Sequence, residues 1–168
     1  MAERRSALGP LEAIVALVVV ILDQATKWVV VKTIPLHGSI EVVPGFFSFT
    51  YVQNTGAAFG LLNAVDFPFK TVVVTAAALA ALVTIAIYAG RIAGDWWVGR
   101  LGLALVLGGA IGNLIDRALR GYVVDFFDAY YRGWHFWAFN VADSAITVGA
   151  CALILDLLVS GHHAPQAD

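Results

Sequence analysis

Four aspartates lie within or beside long apolar stretches of the sequence, where a charged side chain is costly. They are Asp23, Asp116, Asp125 and Asp143. A carboxylate inside a bilayer costs at least about 2.5 kcal/mol on insertion scales, so such residues normally face the interior of a helical bundle and pair with one another. We therefore expect these four acids to converge on one site.

Asp125 and Asp143 have contrasting sequence surroundings. Asp125 stands in the run Tyr-Val-Val-Asp-Phe-Phe, and burial among such neighbours raises the pKa of a carboxyl group. Asp143 comes at the predicted start of a helix, where main-chain N–H groups and the helix dipole favour a carboxylate. Two such acids at close range share one proton and can act as general acid and general base on a water that attacks a peptide carbonyl. A surface acid at Asp125 and a helix N-cap at Asp143 remain as structural alternatives.

Basic and amide side chains accompany the acids. Asp23 and Lys27 are four residues apart, so they share one face of a helix and can form an ion pair. Asp116 is followed by Arg117, which can hold a carboxylate in a two-pronged contact. Amides in similar apolar surroundings either satisfy main-chain groups or grip a peptide substrate. These amides are Asn54, Asn113 and Asn140.

Other catalytic classes have little support. The sequence has no His-Glu-x-x-His pattern and its four histidines are scattered, so we expect no metal site and no cofactor. Signatures of a Gly-x-Ser-x-Gly hydrolase or a phosphate-binding loop are also missing. A Ser-Lys peptidase built from Ser144 and Lys27 remains an alternative, although Asp23 is the nearer candidate partner of Lys27.

The composition is that of a membrane protein. Of 168 residues, 60% are hydrophobic and 13% are charged, whereas a soluble domain carries about 25% charged residues. The net charge of -2 and the lack of a basic run argue against nucleic acid as a partner. The single Cys151 lies in an apolar run, which predicts a buried core residue and excludes a disulfide framework within the chain.

The apolar segments predict a single integral membrane domain over residues 1–168, mainly α. A spanning helix needs about 20 residues, and four segments are long enough. They cover about 12–32, 69–90, 98–116 and 141–159. Basic residues precede the first segment and flank the connection between the second and third, so both termini are predicted to be cytoplasmic, with loops of about 33–68 and 117–140 on the outer side. The flanking residues are Arg4, Arg5, Arg91 and Arg100, while Arg117, Arg120 and Arg132 count against this orientation.

The first outer loop has the composition of a β-hairpin. Pro44-Gly45 divides two runs of β-branched and aromatic residues between positions 39 and 52. We therefore predict a small extracytoplasmic β-sheet platform beside the four-helix bundle.

Five short blocks bring these features into one order along the chain. They are Asp-Gln-Ala-Thr-Lys at 23–27, Asn-Thr-Gly-Ala-Ala-Phe at 54–59, Gly-Gly-Ala-Ile-Gly-Asn-Leu-Ile-Asp-Arg at 108–117, Val-Val-Asp-Phe at 123–126 and Phe-Asn-Val-Ala-Asp-Ser at 139–144. Each block alone is weak. Together, on a chain with four apolar segments, they resemble the lipoprotein signal peptidase family, also called signal peptidase II.

The resemblance implies an aspartic endopeptidase of the bacterial inner membrane. It implies removal of the signal peptide from a diacylglyceryl-modified prolipoprotein, with cleavage immediately before the lipidated cysteine. The family's catalytic pair falls on Asp125 and Asp143. Its substrate-binding and supporting residues fall on Asp23, Lys27, Asn54, Gly56, Asn113, Asp116, Arg117 and Asn140. The implied partners are the prolipoprotein, membrane lipid and globomycin-type cyclic peptide inhibitors, and the chain is expected to act as a monomer with its site toward the periplasmic face.

A substrate anchored in lipid reaches such a site laterally through the bilayer. The aromatic stretch 126–137 is then expected to lie in the interface as an amphipathic helix or lid. Two other functions are alternatives: a small transporter or channel, for which we see neither inverted repeats nor broken helices, and a structural membrane subunit.

Overall fold

In a computed structural model of the protein, the described residues are 9–56, 68–89 and 97–160. They form four helices and four strands. In chain order these are α1 (Pro10–Thr33), β1 (Ser39–Val43), β2 (Phe47–Asn54), α2 (Lys70–Ala89), α3 (Trp97–Arg120), β3 (Val123–Tyr131), β4 (Trp134–His135) and α4 (Val141–Ser160). Of the basic residues used to predict orientation, Arg4, Arg5 and Arg91 lie outside the described residues.

A helix occupies each of the apolar segments identified in the sequence. Pro10 stands at the first turn of α1, where its missing N–H costs nothing, and Glu12 accepts a hydrogen bond from the Gly9 N–H at 2.8 Å. Two of the described helices, α1 and α3, are long and apolar enough to cross a membrane, with 24 residues each. Arg100 near the start of α3 forms an ion pair with buried Glu12 at 2.7 Å, which joins α1 and α3 at the end of the bundle away from the sheet.

The central helix is α3, which packs against α1 on one side and α4 on the other. Glycine makes both approaches close. A Cβ at Gly108 would lie 2.7 Å from the Ala16 carbonyl oxygen of α1, and a Cβ at Gly109 would contact the Ala142 carbonyl oxygen of α4. Glycine at these positions therefore allows the backbones of neighbouring helices to pack closely.

The strands form one antiparallel meander in the order β1-β2-β3-β4. The predicted hairpin is confirmed, because β1 pairs with β2 through Ile40 and Phe49, and Gly45 in the connecting turn has a φ of 78°. Strand β2 then pairs with β3, which places Val52 opposite Asp125. Asp125 on β3 therefore lies beside the last residues of β2.

The expected interfacial helix over 126–137 is wrong, since this stretch forms β3, a turn and β4. Arg132 and Gly133 at the turn both have positive φ, 51° and 80°, which is the geometry of a tight hairpin turn. The β-branched and aromatic residues of β3 find cross-strand partners on β2, and this pairing outweighs the amphipathic helical pattern.

The sheet rests on the end of α1 through a small apolar core. Its buried members are Val30, Ile34, Tyr51, Val124 and Phe126. Because Val124 and Phe126 flank Asp125 on β3, this core holds Asp125 against the helical bundle. The lone Cys151 is exposed on α4, which corrects the prediction of a core residue. It lies on the exposed face of that helix.

Candidate active site

Lys27 on α1 lies fully buried among oxygen acceptors. Its Nζ is 2.8 Å from Asp23 Oδ2, 3.1 Å from Asp116 Oδ2 and 2.9 Å from Asn113 Oδ1. These three contacts match the three N–H groups of an ammonium. The predicted ion pair between Asp23 and Lys27 is confirmed, and Lys27 also links α1 to α3.

Asp116 near the end of α3 is balanced by a second cation. Arg120, one helical turn further on, forms an ion pair with Asp116 Oδ1, while Asp116 Oδ2 accepts a hydrogen bond from the Val124 N–H at 3.0 Å. The two-pronged contact considered for Arg117 does not form, because an adjacent residue points to another face of the helix. Arg117 instead donates to the Gly56 carbonyl oxygen at 3.0 Å.

Gln24 is a further member of this cluster, which the sequence pattern did not identify. Its Nε2 donates to Asp23 Oδ2 and to the Gly112 carbonyl oxygen, both at 3.1 Å. The side chain therefore ties α1 to α3 beside Lys27. Its position directly after Asp23, within one of the five blocks, was the available signal.

Asp143 stands in the first turn of α4, where Asn140 is the N-cap. The Asn140 Oδ1 accepts from the Asp143 N–H at 2.9 Å, and Asp143 Oδ2 accepts from the Asn140 N–H at 3.3 Å. These reciprocal bonds form a capping box, so the alternative of Asp143 as the N-cap itself is wrong. The Asp143 carboxylate accepts a second hydrogen bond at Oδ1, from Asn113 Nδ2 at 2.8 Å.

Asp125 is held on β3 by two amides. Its Oδ1 accepts from Asn140 Nδ2 at 2.7 Å and its Oδ2 from Asn54 Nδ2 at 2.9 Å. The carboxyl is 2% exposed. Burial, and then the nearby charge of Asp143, raise the pKa of Asp125 to about 7, although the two amide hydrogen bonds act in the opposite direction. The predicted upward shift in pKa is confirmed.

The orientations of the Asn113 and Asn140 amides follow from neighbouring groups that can only donate a hydrogen bond. The Lys27 ammonium cannot accept, so Asn113 must turn its oxygen to Lys27 and its Nδ2 to Asp143. Asn140 likewise turns its oxygen to a main-chain N–H and its Nδ2 to Asp125. All four acids are thus joined in one network, and their predicted convergence is confirmed.

Three cavities meet at Asn54, next to this network. Two of them reach Asp143, have volumes of about 380 Å³ each and are lined mainly by apolar side chains. The α2 groove runs along α2, α3 and α4 past Val74, Leu82 and Ile146. The α4 groove runs between α4 and the segment 136–139. The third, which we call the polar cavity, lies on the sheet, has a volume of about 270 Å³ and is lined by Asp125, Asp128 and His135 among others.

The predicted site residues therefore fall into two connected groups. Those around the buried cation are Asp23, Lys27, Asn113 and Asp116. Those around the two candidate catalytic carboxylates are Asn54, Gly56, Arg117, Asp125, Asn140 and Asp143. Within 9–56, 68–89 and 97–160, no group of three or more His, Cys, Asp and Glu side chains is arranged to hold a metal ion. The network has the residues needed for acid–base hydrolysis.

Comparison with known proteins gives consistent matches. The family signature described as Signal peptidase (SPase) II matches residues 15–159. A lipoprotein signal peptidase of Geobacter metallireducens is 45% identical over 146 residues, covering 87% of this chain and 89% of that protein. One of Solibacter usitatus is 44% identical over 150 residues, covering 86% and 88%.

Solved structures agree in fold. Two structures described as bacterial membrane enzymes superpose on this chain. The first has a TM-score of 0.79 and 29% identity, with 93% of this chain and 97% of that chain covered. The second has a TM-score of 0.77 and 32% identity, with coverages of 99% and 98%. The family match, the sequence relatives and the fold point to the same conclusion. The chain belongs to the signal peptidase II family of bacterial membrane aspartic endopeptidases, the lipoprotein signal peptidases.

Proposed function

We propose that the protein removes signal peptides from diacylglyceryl-modified prolipoproteins, cutting immediately before the lipidated cysteine with Asp125 and Asp143 as the catalytic pair. One observation carries this proposal. Asn140 donates to both carboxylates, from its Nδ2 to Asp125 and from its main-chain N–H to Asp143, so the two acids are linked at the point where two apolar grooves meet a polar cavity. An acyl-anchored peptide needs apolar surfaces beside water-activating groups.

The surroundings of the two acids support different roles. Asp143 accepts hydrogen bonds from Asn113 and from the Asn140 N–H at the amino end of α4, which suits a carboxylate that takes a proton from water. Asp125, with its pKa near 7, is partly protonated at neutral pH and suits the general acid. The water oxygen then bonds to the scissile carbonyl carbon while the carbonyl accepts a hydrogen bond from Asp125.

The tetrahedral intermediate breaks at the C–N bond. Asp125 gives its proton to the leaving amine, and Asp143 retains the proton removed from water, so the pair must exchange one proton before the next cycle. Asn54 holds Asp125 through its Nδ2 while its own oxygen accepts from the Gly56 N–H at 2.9 Å. Arg117 holds the Gly56 carbonyl oxygen, which keeps this turn beside the catalytic pair.

We propose that all four helices cross the bacterial inner membrane, with both termini in the cytoplasm and the sheet on the periplasmic side. The lengths of α1 and α3 support spanning, and the catalytic network lies at the bundle end that carries the sheet. The α2 and α4 grooves then open to the bilayer, where membrane lipid and a lipid-modified substrate can enter. Globomycin-type peptides would occupy the same site, and the chain would act as a monomer.

The test is cleavage of a synthetic diacylglyceryl prolipopeptide by the purified protein. Asp125→Asn and Asp143→Asn are each expected to lower kcat by at least about a hundredfold, the range of one acid or base. Ser144→Ala is the matched control on the first turn of α4. Normal turnover in either folded Asp variant would refute the catalytic pair. Loss in Ser144→Ala alone would favour a serine nucleophile, and inhibition by chelators would indicate a metal.

A further inference from the structure

The polar cavity differs in chemistry from the two grooves it meets. Its lining carries two carboxylates, an imidazole, a hydroxyl and an amide, whereas the grooves are lined mainly by aliphatic and aromatic side chains. The polar cavity is lined by Thr50, Val52, Asn54, Asp125, Asp128, His135, Phe136, Trp137 and Ala138. It shares Asn54 and the segment 136–138 with the α4 groove, so these residues separate the polar cavity from the apolar groove.

Asp128 and His135 form a built feature of this cavity that the proposed reaction does not use. His135 Nδ1 lies 2.9 Å from one Asp128 oxygen and 3.0 Å from the other. A carboxylate only accepts, so Nδ1 carries the hydrogen, and the imidazole is fixed in orientation. The ring of Tyr130 stacks on His135 with centroids 4.9 Å apart and an angle of 18° between the planes.

The exposure of the pair suits contact with a polar ligand. The Asp128 side chain is 14% exposed and the His135 side chain 55% exposed, so the carboxylate is set in the wall and the imidazole reaches toward solvent. The contacts that orient His135 use Nδ1 and one ring face. Its Nε2 has no hydrogen-bond partner among the described residues and can bond to a ligand in the cavity.

Three parts of a prolipoprotein substrate extend from the scissile bond, two of them apolar and one polar. The signal peptide lies on the acyl side and is apolar, and the diacylglyceryl chains on the cysteine side chain are also apolar. The mature polypeptide lies on the amine side and continues into water. The catalytic network has two apolar grooves and one polar cavity around it, all lined in part by Asn54.

From this match we propose that the polar cavity binds the first residues of the mature lipoprotein after the lipidated cysteine, with Asp128 and His135 as the side chains that contact them. The inference rests on the proposed function and extends it to the amine side of the cleaved bond. A volume of about 270 Å³ is just below the about 300 Å³ at which small-molecule pockets begin, so the cavity suits a short polar segment rather than a folded domain.

The experiment compares two synthetic diacylglyceryl substrates with the full-length protein in detergent micelles. Both share the signal peptide and lipidated cysteine, but one ends directly after the cysteine as an amide and the other continues through a polar mature segment. For the longer substrate, His135→Ala and Asp128→Ala are expected to raise KM about tenfold with little change in kcat, the loss expected for one or two hydrogen bonds. For the short substrate no such rise is expected.

Two further variants sharpen the comparison. Asp128→Asn keeps an acceptor for His135 Nδ1. Its KM for the longer substrate is therefore expected to lie closer to that of the parent protein than to that of Asp128→Ala. Arg132→Asn is the matched surface control, because Arg132 lies at the tip of the same hairpin with a φ of 51°, a conformation that Asn tolerates. It is expected to behave as the parent protein on both substrates.

Three outcomes would overturn the inference. An unchanged KM on the longer substrate would show that the pair does not contact it. An equal fall in kcat on both substrates, in Asp128→Asn as well as His135→Ala, would assign the cavity to water entry or to folding. A KM rise of equal size on both substrates would place the contact on the signal peptide or lipid. Asp125→Asn, assayed beside them, tests the proposed function separately, since normal turnover in that variant would refute the catalytic pair whatever the KM pattern.

Discussion

Replacing Lys27 by Met removes the cation that joins α1 and α3 beside the proposed catalytic pair. The change keeps a similar side-chain length but leaves Asp23 and Asp116 facing one another, with Arg120 as the remaining cation of the cluster. The side chains of Asp23, Lys27 and Asp116 are all fully buried, so water cannot replace the ammonium as their partner. We expect Lys27→Met to be among the most destabilising single changes in the protein.

The magnitude follows from the interactions that Lys27 makes. Breaking a buried ion pair by removing one partner costs about 3–5 kcal/mol, because the other charge is left uncompensated. Lys27 makes two ion pairs and one hydrogen bond, at 2.8, 3.1 and 2.9 Å, which favours the upper part of that range. Turnover should fall as well. The Lys27 ammonium donates to Asn113 Oδ1, and without that hydrogen bond the Asn113 amide is no longer fixed with its Nδ2 toward Asp143.

The assay is unfolding of the purified protein in detergent micelles, followed by tryptophan fluorescence. The free energy of unfolding is expected to drop by about 3–5 kcal/mol. Lys32→Met on the last turn of the same helix is the control and should change stability by less than about 0.5 kcal/mol, because Lys32 is exposed. The double variant Asp23→Asn/Lys27→Met should recover part of the stability, since it removes one charge of each sign. Parent-like stability of Lys27→Met would refute this account of the buried cluster.

Four further predictions follow from the same geometry. With the pKa of Asp125 near 7 and its protonated form as the acid, kcat/KM should fall as the pH rises through about 7, and a flat profile from pH 6 to 8 would contradict that role. Because this pKa is raised from 3.8, the folded state holds the extra proton between pH 4 and 7, so stability falls as the pH rises across this window and then levels off. Asp125→Asn should lack this dependence, and the difference from the parent, on the order of 2–4 kcal/mol, can be measured by unfolding at pH 5 and pH 8. Gly109→Ala should cost about 1–3 kcal/mol of unfolding free energy because its Cβ would press on the Ala142 carbonyl oxygen, whereas Ile111→Ala on the exposed side of α3 should cost less. Asn140→Ala should cost about 1 kcal/mol through loss of the α4 cap and should lower kcat far more than that figure implies, since the Asn140 side chain also donates to the Asp125 carboxylate; an unchanged kcat would argue against a role for this hydrogen bond.

Much of the architecture could be predicted because its causes are local. The apolar segments are long enough to require helices, and the turn at Pro44-Gly45 between β-branched and aromatic runs requires a hairpin. The pair Asp23–Lys27 follows from the geometry of one helix, in which residues four apart share a face. These features depend on spacing within one element.

The main error concerns a contact between elements. The aromatic pattern of the stretch 126–137 suits a helix at an interface, but the pairing partner that makes it a strand, β2, lies more than 70 residues earlier in the chain. The pairing of Asp116 is instead a local feature that was missed. Arg120, four residues further on, shares a helix face with Asp116 and pairs with it, whereas the adjacent Arg117 points to another face.

The sequence by itself determined the membrane class, the number of helical segments, the hairpin and the identity of the acids. Hydrophobic length, turn chemistry and the five blocks depend only on the order of residues along the chain. Only the tertiary structure decided how those acids are positioned. Asn140 caps α4 and also reaches Asp125, while Asn113 links Lys27 to Asp143. Such bridges depend on the distances and amide orientations created when α1, α3, α4 and β3 pack together, and no spacing along the chain specifies them.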